Sequence, residues 1–162
     1  MKNLFRISLF CLLITWCMTA CSSKSDTTIV YHSYHSLPNG KWAKSDTITM
    51  EYPFDSVPET YRVFLELRNT SNYPYRNLNL IVQDNFPDSA TFRLDSLSIN
   101  LADSTGRWLG KGWGSIYQLS VPIKSVYSLH PYNYKIKIIN NMIDANLEGI
   151  NDMGIRMEKV SR

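Results

Sequence analysis

Between Tyr61 and Arg68 the apolar residues return at every second position: Tyr61, Val63, Leu65 and Leu67 share one side, Arg62, Glu66 and Arg68 the other. An extended chain sends successive side chains to opposite faces, so this pattern predicts a strand with one face on a core and one in water. Similar segments run from Thr28 to Tyr34, Thr47 to Tyr52, Asn77 to Gln83, Ala90 to Leu101, Ser115 to Val121, Tyr132 to Ile139 and Ile155 to Val160, about eight strands in all. Polar turn clusters divide them at Pro38-Asn39-Gly40, Asn69 to Pro74, Asp84 to Asp88, Asp103 to Gly106 and His130-Pro131. Short strands with polar turns and no long helical period predict an all-β fold, an antiparallel β-sandwich or jelly-roll-like single domain. Within Ala90 to Leu101 the apolar phase changes from Phe92 and Leu94 to Leu97, Ile99 and Leu101, so a bulge or break near Asp95-Ser96 is expected. A turn or two of helix is expected only within Asn141 to Leu147.

The first twenty residues follow a different logic. Lys2 and Arg6 precede the apolar run Ile7 to Met18, the form of a secretory signal and shorter than the roughly 20 apolar residues that cross a bilayer. The run ends in Met18-Thr19-Ala20-Cys21, which resembles the bacterial lipobox, with Met18 in place of the preferred Leu. Residues 1–20 are therefore expected to be a cleaved lipoprotein signal peptide, and 21–28 a lipidated Cys21 with a small polar tether. Residues 29–162 are the β-sandwich domain. Each buried CH₂ of an acyl chain contributes about 0.8 kcal/mol of membrane affinity, so several chains on Cys21 would hold the protein to a membrane almost permanently. Cys11, Cys17 and Cys21 are the three cysteines, so the mature chain would keep only the acylated one and form no disulfide. Stability must then come from the core, which a domain of this size can supply. Ser22 and Ser23 offer no inner-membrane retention Asp, which favours the outer membrane without choosing a leaflet.

Loss of Lys2 and Arg6 with the leader takes the formal net charge from +3 to +1. With no basic cluster, nucleic acid is not an expected partner. His32 and His35, three apart on a strand, point to opposite faces and do not converge on a metal. His130 precedes a Pro in a turn, and no HExxH, CxxC, GxSxG or P-loop occurs. The carboxylates are scattered singly through turns, so no glycosidase pair can be nominated. The expectation is a chain with no catalytic residues, no metal, no cofactor and no small-molecule substrate. The most unusual stretch, Gly106 to Gly114 with Trp108 and Trp113, lacks dinucleotide spacing. It reads either as bulges and turns at a sandwich edge or as an aromatic loop that meets a partner or a sugar ring.

The lipobox followed by Tyr31-His32-Ser33-Tyr34, Trp42 with Asp46, Leu67-Arg68-Asn69, Tyr73-Pro74-Tyr75-Arg76-Asn77-Leu78, Gly106-Arg107-Trp108-Leu109-Gly110-Lys111-Gly112 and Gly154-Ile155-Arg156-Met157-Glu158 resembles, in order and spacing, the gliding-motility lipoprotein GldH family of Bacteroidetes. The resemblance spans essentially the whole mature chain. It implies a lipid-anchored envelope protein, a non-enzymatic accessory or scaffold component associated with the gliding machinery and the type IX secretion apparatus, with other envelope proteins as partners. Family members also occur in species that do not glide. The docking patch is expected at the Arg68 to Asn77 turn and the Gly106 to Gly114 loop, with Arg68, Tyr73, Tyr75, Trp108 and Trp113 as its residues. Six of the nine Asp residues precede Ser or Thr, which is ordinary turn chemistry but also resembles the O-glycosylation signal of exported Bacteroidetes proteins. On that reading Thr47, Ser56, Ser89 and Ser96 are the acceptors. The competing reading is an outer-membrane carbohydrate-binding surface lipoprotein, which requires exposed, roughly coplanar rings; a hydrolase would require a cleft with converging Asp, His or Ser groups.

Overall fold

A computed structural model describes residues 27–54, 59–86, 91–128 and 132–160. The strands are β1 (Thr27–Ser36), β2 (Lys41–Ala43), β3 (Thr47–Phe54), β4 (Glu59–Thr70), β5 (Asn77–Asp84) and β6 (Arg93–Asn100), then β7 (Lys111–Trp113), β8 (Ile116–Ser128), β9 (Tyr132–Asn140), β10 (Asn146–Glu148) and β11 (Ile150–Val160). They build a five-stranded sheet ordered β1-β11-β4-β8-β7, a four-stranded sheet ordered β3-β9-β5-β6 and a small pair, β10-β2. Every pairing is antiparallel.

The alternation that predicts strands also decides what is buried. Val63, Leu65 and Leu67 of β4 and Met153, Ile155 and Met157 of β11 face Leu78, Leu80 and Val82 of β5 and Tyr134, Ile136 and Ile138 of β9 across one continuous core. Trp42, Leu101, Leu147 and Ile150 extend that core. Burying such side chains is the dominant favourable term, about 1.5–3 kcal/mol for each large aliphatic group. Two polar links also join the large sheets: the Tyr31 hydroxyl donates to the Glu51 carbonyl at 3.2 Å, and the Lys124 ammonium pairs with Asp84 and with Asp95, the latter at 3.2 Å.

The expected count of about eight strands is too low. The three further strands, β2, β7 and β10, have three residues each, too few to show a period. The expected helix within Asn141 to Leu147 does not form. Asn140 Oδ1 accepts the Met142 amide at 2.9 Å, Met142 packs into the core, and Leu147 is already a strand residue opposite Trp42. So few residues cannot repay a helix nucleus. The expected bulge or break near Asp95-Ser96 is also absent, and β6 pairs with β5 without a register shift from Arg93 to Asn100. As an edge strand it keeps Leu97 and Ile99 inward and leaves Leu94, with neighbouring Phe92, exposed. Register shifts fall instead between Ile29 and Tyr31 on β1, Val63 and Phe64 on β4, and Ile150 and Asp152 on β11.

The sandwich has two unlike poles. At the entry pole the chain arrives at Thr27 beside Val160, with the β4 start opposite the β8 end and the β3 end opposite the β9 start. The far pole carries the Pro38–Gly40 3₁₀ turn, the β2-β10 pair, the 71–76 turn, the 101–110 loop and the β7-β8 hairpin.

Candidate functional site

The two segments expected to make a docking patch lie against each other at the far pole. The Ser71 amide donates to the Ser115 carbonyl at 2.8 Å, and the Leu101 and Ala102 amides both donate to the Arg76 carbonyl. Their aromatic residues are used differently. Tyr73 is only 4% exposed, and its hydroxyl donates to the Asn77 carbonyl at 2.9 Å. Its ring meets Tyr75 at 5.9 Å and Trp108 at 6.5 Å, and Trp108 meets Tyr117 at 5.5 Å. These pairs cross at 71°, 53° and 33°, so the rings pack as a cluster and not as a flat platform. Gly149, at φ +90, allows this closure because a Cβ there would meet the Tyr73 Cα at 2.7 Å. Burial pushes the Tyr73 phenol well above its usual range. The half-buried Tyr75 donates to Asp144 Oδ2 at 2.6 Å, and that hydrogen bond also raises its pKa.

The loop between β6 and β7 is shaped by Asp103. Its carboxylate accepts from the Thr105 hydroxyl at 2.6 Å, the Thr105 and Arg107 amides, and Arg107 Nε at 3.1 Å. These donors stabilise the charged form, the Thr105 hydroxyl most, and lower the Asp103 pKa to about 2. Beyond the loop the short β7-β8 hairpin turns at Gly114, φ +62, and presents Trp113 at 92% exposure opposite Ile116. Of the five expected patch residues, Tyr73 lies in the core and Tyr75 and Trp108 cover it. Arg68 and Trp113 lie on the outer face of the five-stranded sheet, in register rows that also hold Gln118 and Ile116.

That outer face holds a polar network the sequence pattern does not reveal. Glu66 occupies a solvent-side position of β4 yet is only 2% exposed. Its Oε1 accepts from Arg156 Nε and Ser120 Oγ, both at 2.7 Å, and Oε2 lies 3.5 Å from the Tyr34 hydroxyl. Arg156 also donates to Ser120 Oγ at 2.9 Å, pairs with Glu158, and lies 4.1 Å from the Phe64 ring centroid. Arg68 sits 4.2 Å from the Tyr34 ring centroid, donates to Gln118 and pairs with Asp152. Burial first, then the charge of Glu66, raises the Tyr34 pKa. Four strands are thereby tied together by mutually paired groups, which rigidify the sheet. The signal that could have exposed it is long-range: Glu66 lies 32, 54 and 90 residues from Tyr34, Ser120 and Arg156.

His32 faces outward in register with Arg156, whereas His35 is in register with the inward Met153. Among the described residues no group of three or more His, Cys, Asp or Glu side chains could hold a metal ion. Thr47 and Ser96 are both exposed and share one row across the outer face of the four-stranded sheet, Thr47-Ile139-Ile81-Ser96. Cys21, Ser56, Ser89 and His130 lie outside the described residues.

Comparison with known proteins places this architecture. The model of the GldH lipoprotein family matches residues 29–157. The "Gliding motility lipoprotein GldH homolog" of Christiangramia forsetii is 31% identical over 145 residues, 85% of this chain and 88% of the relative. The "Gliding motility lipoprotein GldH" of Flavobacterium johnsoniae is 30% identical over 142 residues, 83% of this chain and 87% of the relative. Among solved structures, dimeric latent PorU from Porphyromonas gingivalis aligns with 79% of this chain and 12% of its own at a TM-score of 0.30 and 13% identity, a likeness too weak to bear on fold or role. A family model spanning nearly all of the described sandwich, together with two relatives matched along most of their length, establishes that this chain belongs to the GldH lipoprotein family.

Proposed function

We propose that this protein is a non-enzymatic scaffold of the bacterial envelope, anchored to the outer membrane through acylated Cys21, whose far pole docks other envelope proteins of the gliding and type IX secretion apparatus. The observation that carries the docking surface is the far-pole hairpin. Trp113 projects at 92% exposure from the edge of the five-stranded sheet beside exposed Ile116, with Leu109 also exposed in the preceding loop. An exposed Trp on a fixed backbone supplies a large contact area at little entropic cost, the property of an interface anchor. The paired groups around Glu66 support the non-enzymatic reading, because each is engaged with another side chain of the same sheet. The carbohydrate alternative draws little support from the far-pole rings, which are crossed and at least partly buried around Tyr73.

The test is affinity purification of the membrane-bound protein after mild crosslinking, parent against Trp113→Ser. Trp113 is the cleanest probe because Tyr75 and Trp108 also hold the fold together. Loss of envelope partners at unchanged thermal stability supports the proposal. Unchanged recovery removes the far pole from consideration, and recovery of polysaccharide or glycan-uptake proteins alone overturns the scaffold reading.

A further inference from the structure

Among the described residues, exposed large apolar side chains stand at both poles. Leu109, Trp113, Ile116 and Ile143 are at the far pole. Ile29, in register with Glu158, Tyr127, with Thr60, and Tyr132, with Phe54, are at the entry pole, and Phe92 lies on its flank. The entry-pole set is aromatic-rich, and its cations stand on the flank beside Phe92. The Lys137 ammonium lies 4.9 Å from the Phe92 ring centroid, and neither Arg93 nor Lys137 has a carboxylate partner among the described residues. Tyrosine and phenylalanine beside Lys and Arg is the combination that settles at a membrane–water boundary, with rings at headgroup depth and cations toward the phosphates.

Chain length selects the pole. Five residues lie between Cys21 and Thr27, so the six steps from one to the other reach at most about 22 Å fully extended. The twelve-residue β4 spans the body from one pole to the other, roughly 36–40 Å at strand rise. An anchor at Cys21 can therefore bring the entry pole against the bilayer but cannot stand the molecule on its far pole.

We infer that the entry pole rests on the lipid surface, with Ile29, Tyr127 and Tyr132 at the interface, Phe92 at its edge, and Arg93 and Lys137 at headgroup level. This inference rests on the reading of Cys21 as the lipid-bearing residue and adds an orientation to it: one pole on lipid, the Trp113 pole held away. The occupant is a lipid surface because the chain enters there and the exposed chemistry matches an interface at that same end.

The mature chain offers its own probe, since Trp42, Trp108 and Trp113 all lie at the far pole. The acylated protein is purified from membranes, its mass is measured, and it is reconstituted into phosphatidylethanolamine and phosphatidylglycerol vesicles with or without brominated acyl chains. Flotation reports the anchor and tryptophan emission reports depth. The parent is expected to float and to keep its emission. Tyr127→Trp and Tyr132→Trp are each expected to lose roughly a quarter of theirs, the share of one tryptophan in four, because interfacial side chains sit about 5–10 Å into the headgroup boundary. Quenching of the parent, which needs no substitution, puts the far pole in lipid and overturns the orientation. A floating, acylated protein with no quenching in parent or variants also overturns it while leaving the anchor intact. Failure to float, or a mass without acyl groups on Cys21, overturns both.

Discussion

Replacing Glu66 by Gln asks whether a carboxylate buried on the outer side of a sheet contributes to stability or merely survives there. Hydrogen bonds to charged groups contribute about 1.5–3 kcal/mol each, and stripping one partner from a buried ion pair costs about 3–5 kcal/mol. Glu66 holds two such bonds at 2.7 Å, from Arg156 and Ser120. Gln preserves the volume and an acceptor oxygen for Ser120, and Arg156 keeps Glu158 and the face of Phe64. The expected loss is therefore about 2 kcal/mol, below the full cost of breaking a buried pair. Glu66→Ala also empties the site and leaves the Ser120 and Arg156 donors short of an acceptor, for a loss of about 4 kcal/mol. For a domain of this size about 2 kcal/mol corresponds to a fall of roughly 6–10 °C in Tm. Urea titration of the detergent-solubilised protein, followed by tryptophan emission, measures both variants. A Gln variant within about 0.5 kcal/mol of the parent refutes the reasoning, because the network would then be no better than a neutral replacement.

Gly154→Ala is expected to destabilise by about 1–3 kcal/mol in the same titration, because its Cβ would sit 2.6 Å from the Ser33 carbonyl oxygen and 2.7 Å from Tyr34 Cδ1. Acid is expected to loosen the Asp103–Arg107 loop late. The Asp103 pKa, about 2, is below the ordinary carboxylate value near 3.9, so its contribution is complete above that value and is lost as pH falls toward 2. Tryptophan emission of the parent should change across that window, and Asp103→Asn should remove the change. Glycosylation at Thr47 or Ser96 predicts an intact mass above polypeptide plus acyl chains that drops on Thr47→Ala or Ser96→Ala, and a parent mass equal to polypeptide plus lipid rejects it.

The β4 pattern was legible residue by residue because side-chain direction in a strand is local: Tyr61, Val63, Leu65 and Leu67 are all buried, as their alternation requires. The Pro38-Asn39-Gly40 turn was legible for the same reason, since Asn39 at φ 57 and Gly40 at φ 65 are residues that accept the left-handed region. β2, β7 and β10 were not, because three residues carry no period and their pairing depends on partners elsewhere in the chain. The phase change at Phe92 and Leu94 is visible in the sequence, but it marks outward side chains at a sheet edge and not the expected bulge or break. An edge strand can leave apolar side chains outward without breaking its ladder.

The family resemblance was legible through ordered short segments, but the roles of the aromatic residues within them were not. Tyr73, Trp108 and Trp113 look alike as letters, yet one is buried, one half-buried and one almost wholly exposed. The sequence alone determined strand periodicity, turn chemistry and the character of the leader, because each depends on residues within a few positions of one another. Tertiary structure decided what Glu66 touches, that the 71–76 turn meets the β7-β8 hairpin, and that the apolar side chains gather at opposite poles. Those facts depend on register and sheet order, which bring together groups separated by as many as 90 residues.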